Sequence, residues 1–143
     1  MTLAEQIDSY LASIPDPKRS DVERLHQLIL RIAPNAQLWY TDGTNEQGKV
    51  VSNPQIGYGL HTIQYANGST RDTFRVGLSA NTAGISVYFL GLADKTYLST
   101  HYGPKIGKAN VTGYCIRFKS INDIDLDVLR DALVYGLAQS TPL

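Results

Sequence analysis

The sequence predicts an α+β domain: an N-terminal helical hairpin, an antiparallel sheet of about five strands and a C-terminal helix. Three observations carry this. Apolar residues recur at helical spacing over the first 32 residues and again near the end of the chain. Between these stretches, residues 38–89 are rich in Tyr, Thr, Val and Gly, with turn signals at short intervals. A chain of 143 residues is also long enough to bury a core without disulfides or metal staples. No repeat, low-complexity tract or linker divides it, so residues 1–143 read as one domain.

Leu3, Ile7, Tyr10, Leu11 and Ile14 set the stripe of a helix over residues 2–13, with Thr2 placed to cap it. Pro15-Asp16-Pro17 stops it, because proline disfavours helical geometry in the residue before it. A second helix runs from Lys18 to Ile32. Its apolar face is Val22, Leu25, Leu28, Ile29 and Ile32, and its polar face carries Lys18, Arg19, Glu23 and Arg24. Pro34-Asn35 ends it. Residues 36–41 read as a short strand, 42–54 as a polar loop and 56–65 as a long strand. Asn67-Gly68 is the strongest short hairpin signal, since both turn positions require positive φ. Phe74, Val76 and Leu78 then alternate with Arg75 and Gly77, and Ile85, Val87 and Phe89 with Ser86 and Tyr88, each a strand buried on one face. Helical period returns weakly over residues 93–101, and residues 103–113 read as a loop. Tyr114, Ile116 and Phe118 alternate with Cys115 and Arg117 as a further strand. Leu126, Leu129, Leu133 and Leu137 mark the last helix, capped by Asp123 or Asp125.

Charge and cysteine content exclude several classes of function. Thirteen Lys and Arg balance thirteen Asp and Glu, with a pI near 6.8. Nucleic acid and anionic membranes, which select strongly basic surfaces, are therefore not expected partners. A single Cys makes neither an internal disulfide nor a multi-Cys zinc site, and a reducing cytoplasm is expected. Glu5 and Asp8 near the start, with no basic segment followed by an apolar run, do not read as a signal peptide. No stretch approaches the roughly 18 apolar residues of a membrane span.

The motif-like segments fail as motifs. Gly103-Pro104-Lys105-Ile106-Gly107-Lys108 has three residues between its glycines where a P-loop has four, and Ala109 stands where Ser or Thr is needed. Asp123, Asp125 and Asp127 resemble the start of a calcium loop, but its sixth and twelfth positions are Val128 and Val134. His26, His61 and His101 lie on separate elements without ligand spacing, so no metal or other cofactor is expected. Cys115 reads as a buried, inert thiol. Asn67-Gly68-Ser69 and Asn110-Val111-Thr112 match a glycosylation sequon without a secretory context.

The positive lead is tyrosine. Nine Tyr stand against three Phe and one Trp, so most aromatic rings carry a polar tip. Trp39, Tyr40, Tyr58, Tyr65 and Tyr88 fall in or beside the sheet, where such rings serve ligand pockets and interfaces as well as half-buried strand faces. Gly57-Tyr58-Gly59 places glycines in a strand, a mark of a bulge or of another group approaching the backbone. Trp39, Tyr58, Tyr65, Arg75 and Tyr88 are the candidate ligand-binding residues, Arg75 as a partner for carboxylate or phosphate. No catalytic residue stands out.

Tyr10 through Pro34 (YLASIPDPKRSDVERLHQLILRIAP), Pro54 through Gly59, Gly84 through Gly91 (GISVYFLG) and Gly113 through Leu129 (GYCIRFKSINDIDLDVL) together resemble the YdhG-like proteins. These are small bacterial proteins catalogued as domain of unknown function 1801. The resemblance covers nearly the whole chain and implies an α+β fold with an antiparallel sheet covered by helices. Some relatives are described as frataxin-like iron chaperones, which implies weak iron binding by carboxylates. Here these are Glu5 and Asp8 on the first helix, with Asp21 and Glu23 on the second among Lys18, Arg19 and Arg24. The leading expectation is a cytoplasmic binding or accessory domain whose Tyr-rich sheet surface takes a small ligand or protein partner. The alternatives are the iron chaperone and an enzyme with a dispersed site of His101, Lys105, Lys108 and Arg117. A homodimer suits each, because exposed sheet edges are often covered by a second copy.

Overall fold

A computed structural model describes residues 1–139; the last four residues of the single-domain reading lie outside it. The first two helices are α1 (Leu3–Ser13) and α2 (Lys18–Ile32). Thr2 caps α1 reciprocally with Glu5: each backbone N–H donates to the other's side-chain oxygen at 3.1 Å. Strand β1 (Leu38–Thr41) leads into a loop with its own order. There Asp42 Oδ1 accepts from Thr44 N and Oγ1, and Asn45 Oδ1 accepts from the N–H groups of Gln47 and Lys49.

The stretch 56–65, which reads as one strand, is divided into β2 (Gln55–Tyr58) and β3 (His61–Gln64). β4 (Thr70–Thr73) closes the Asn67-Gly68 hairpin onto β3, and β5 (Val76–Asn81) and β6 (Gly84–Phe89) follow. One register runs through the division: Tyr58 lies opposite Val76 and His61 opposite Thr73. The break at Gly59-Leu60 and Phe74-Arg75 therefore interrupts a single long hairpin. Gly59 takes φ of 84°, where an L side chain is strained.

Residues 93–113 carry more structure than their pattern predicts. The helix over 93–101 shortens to α3 (Tyr97–His101), and the expected loop holds α4 (Gly103–Ile106) and the edge strand β7 (Asn110–Val111). β8 (Cys115–Phe118) and α5 (Leu126–Leu137) complete the chain, with Asp125 Oδ1 accepting from Asp127 N and Val128 N at the start of α5.

The main sheet has six strands in the order β1-β2-β5-β6-β8-β7, all antiparallel, one more than expected because of β7; β3 and β4 form a separate pair. Alternation sends Ile56, Tyr58, Val76, Leu78, Ile85, Val87, Phe89, Ile116 and Phe118 to one face, and all are buried. The same core takes Ile7 and Leu11 of α1, Val22, Leu25 and Ile29 of α2, Leu98, Ile106, and Leu129 and Leu133 of α5. Burying each such side chain contributes about 1.5–3 kcal/mol. Gly136 lets α5 approach the sheet, since a Cβ there would come 2.6 Å from the Phe89 ring. Helices pack on one face of the main sheet, and among the described residues none packs on its other face. Among the described residues no helix is long and apolar enough to cross a membrane.

Candidate functional site

The helix-free face is built from two cross-strand rows. Strand pairing sets Trp39 against Gly57, Gly57 against Gly77, Gly77 against Tyr88 and Tyr88 against Cys115. The next row is polar: Thr41 opposite Gln55, Ser79 opposite Ser86, Ser86 opposite Arg117, and Arg117 opposite Asn110. Trp39 and Tyr88 stand three strand spacings apart, about 14 Å, with two glycines flooring the gap.

Phe74 fills that gap. A Cβ on Gly57 would lie 2.5 Å from its ring, and one on Gly77 would lie 2.7 Å from it. Two glycines on neighbouring strands thus form a flat seat for one aromatic ring, the close approach that a strand glycine marks. The alternation Phe74, Val76, Leu78 predicts that Phe74 shares the core face. The break at Arg75 turns it to the opposite one, where it remains 6% exposed.

Beside Phe74 lies a hollow of about 260 Å³. Phe74, Tyr88, Leu90 and Tyr114 supply its apolar walls, and Ser52, Asn53 and Gln55 its polar rim. The β1–β2 loop closes one side, anchored where Ser79 Oγ donates to Pro54 O at 2.8 Å. Gln55 Oε1 is buried and has no hydrogen-bond partner among the described residues. Leaving a buried acceptor unsatisfied costs about 1–3 kcal/mol.

The five sequence-predicted binding residues separate. Trp39 and Tyr88 share the open face; Trp39 is half-buried and its Nε1–H donates to Gly59 O at 2.7 Å, holding the hairpin break. Tyr58 points into the core, where its hydroxyl lies 2.7 Å from His26 Nδ1 and burial pushes its phenol far above the usual range. Tyr65 is exposed at the tip of the β3–β4 hairpin. Arg75 is buried at the break; its backbone N–H donates to Tyr58 O and its carbonyl accepts from Leu90 N. Burial lowers the Arg75 guanidinium, and its charge adds to burial in lowering His61. Phe74, Gln55 and Tyr114 line the hollow without having been singled out in the sequence. Gly57 was the one signal pointing toward them.

The other candidates also find places. Cys115 is buried in the aromatic row, and burial raises its thiol against the smaller opposing pull of Arg117. His101 stacks on Tyr97 at 3.8 Å between ring centroids, and Tyr97 stacks on Tyr135 at 4.0 Å. Lys108 and Arg117 line one groove, whereas Lys105 closes α4. Glu5 is engaged in the α1 cap, and Asp21 Oδ2 accepts from Ile121 N at 3.3 Å. Among the described residues no three His, Cys, Asp or Glu side chains come together to hold a metal ion. Comparison of the chain with protein-family models, curated proteins and solved structures finds no match.

Proposed function

We propose that this chain is a small binding domain that takes a single aromatic or apolar ring, bearing one hydrogen-bond donor, in the hollow beside Phe74. The observation that carries the reading is the unsatisfied Gln55 Oε1 set among the walls of Phe74, Tyr88 and Tyr114. Aromatic walls offer face and edge contacts to a ring, and one buried acceptor orients it. The volume of about 260 Å³ suits one ring of a small ligand or a single side chain of a protein partner. Tyr88 is then the sequence-predicted residue in this role; Trp39 shares the open face but, like Tyr58, Tyr65 and Arg75, lies outside the hollow's walls.

Backbone and side-chain amide shifts measured with indole and benzimidazole as probes test this. Saturable shifts are expected at the Gln55 side-chain amide, Tyr88 and Tyr114. Tyr88→Ala should weaken binding about tenfold through lost ring contact. Gln55→Leu should abolish the preference for N–H donors while leaving the free protein as stable or more so, because the orphaned acceptor is gone. Shifts that ignore both substitutions, or none at millimolar probe, would overturn the reading.

The same proposal places the chain among the YdhG-like proteins, as a bacterial cytoplasmic domain that pairs with a second copy. Its support is the succession of helical hairpin, antiparallel sheet and C-terminal helix, the single buried Cys115, and the short unpaired edges of β1 and β7.

A further inference from the structure

The far edge of the sheet holds a second concavity, an open groove of about 440 Å³ beside β7 and β8. Lys108, Arg117 and Lys119 line it together with a single carboxylate, Asp123. Strand pairing brings these segments together. β7 and β8 pair Asn110 with Arg117. Lys119 follows Arg117 by two residues and so leaves the strand toward the same side, while Lys108 precedes β7 with its N–H donating to Asp123 O at 2.9 Å. Like charges gathered in one groove repel, so this arrangement costs stability in the empty protein. Among the described residues none of the three cations forms an ion pair, and Arg117 Nε rests 3.4 Å from Ser86 Oγ.

The excess of two positive charges is local. The chain as a whole has net charge zero, so the groove does not merely reflect a basic protein. Ala83, Ala109 and Phe118 supply its apolar lining, and Asn110 adds a further polar group. We propose that the groove binds an oxyanion, phosphate or carboxylate, carried on a small apolar body that lies against Ala83 and Ala109. The planar guanidinium of Arg117 offers two parallel donors to such a group, and the two lysines neutralise its charge from either side. Asp123 opposes binding and favours anions seated at the Arg117–Lys119 end.

Amide shifts followed while titrating inorganic phosphate, phenyl phosphate and benzoate, at ionic strength held constant with sodium chloride, test the proposal. Saturating shifts are expected at Lys108, Asn110, Arg117 and Lys119, with phenyl phosphate tighter than inorganic phosphate. The benzoate arm tells whether carboxylate or phosphate is preferred. Arg117→Gln combined with Lys119→Gln should weaken phenyl phosphate at least about tenfold, both side chains being exposed and outside the core. Tyr88→Ala should leave it unchanged, which separates this groove from the aromatic hollow. In phosphate-free buffer Lys119→Gln should hold or raise Tm, and phosphate should raise the Tm of the parent protein alone. Linear shifts like those from sodium chloride, saturation that survives the double substitution, or a Tm lowered by Lys119→Gln without phosphate would each overturn it.

Discussion

His26 and Tyr58 form a buried polar contact between α2 and β2. The imidazole is buried, so its charged form is disfavoured; burial lowers it below 6.5, and the charge of Asp8 opposes this only in part. The sign follows from linkage. Above pH 6.5 both folded and unfolded chains hold His26 neutral, and its contribution to stability is fully present. As pH falls through 6.5 the unfolded chain binds the proton first, and stability declines until the lowered folded value is passed. His61 is lowered as well, first by burial and then by Arg75, and adds to the same slope. Urea midpoints between pH 7 and 5 are therefore expected to fall, and His26→Phe should flatten part of that fall. An unchanged slope in the variant would show that His26 carries none of it. At this scale the sequence places Tyr58 in phase with Ile56, yet one strand's alternation does not say which face the helices cover. Tyr58 therefore reads equally well as a ligand contact and as core.

Caps and periodicity decide the elements. The stripes of α1, α2 and α5 repeat over three turns or more, and Thr2, Pro15-Asp16-Pro17, Pro34 and Asp125 mark starts or stops among their ends, which is why these helices are legible. Asp125→Ala removes an acceptor that serves two N–H groups of α5 and should cost about 1 kcal/mol. Thermal unfolding followed by far-UV circular dichroism should show a Tm lower by a few degrees; no change would mean that water replaces the cap. The division of β2 from β3 was not legible, because the pairing register continues unbroken across Gly59 and Leu60. α3 was legible only as a weak period over residues 93–101, and α4 not at all, since five and four residues are too few to display a full helical period. β7, two residues long, is a strand only by virtue of β8 beside it.

Across the whole molecule, helices and sheet share one core, and the open face is held by Phe74 and the β1–β2 loop. A chain of this size with a single core unfolds cooperatively, with a stability of about 5–15 kcal/mol. Trp39, the sole tryptophan, reports on the open face, and far-UV circular dichroism reports on the helical layer. Their urea transitions should coincide. A separate, earlier tryptophan transition would mean that the open face and its loop melt as an independent unit.

The sequence by itself determined the succession of helices and strands, the caps and the balance of charge. These depend on residues within a turn or a strand of one another, where periods of 3.6 and 2 act directly. Only the tertiary structure decided that Phe74 crosses Gly57 and Gly77, that Gln55 joins the rim of an aromatic hollow, and that Lys108, Arg117 and Lys119 line one groove. Each of these follows from the pairing and packing of strands and loops brought together by the shared core. Local pattern does not encode which strands become neighbours, nor which face of the sheet the helices leave open.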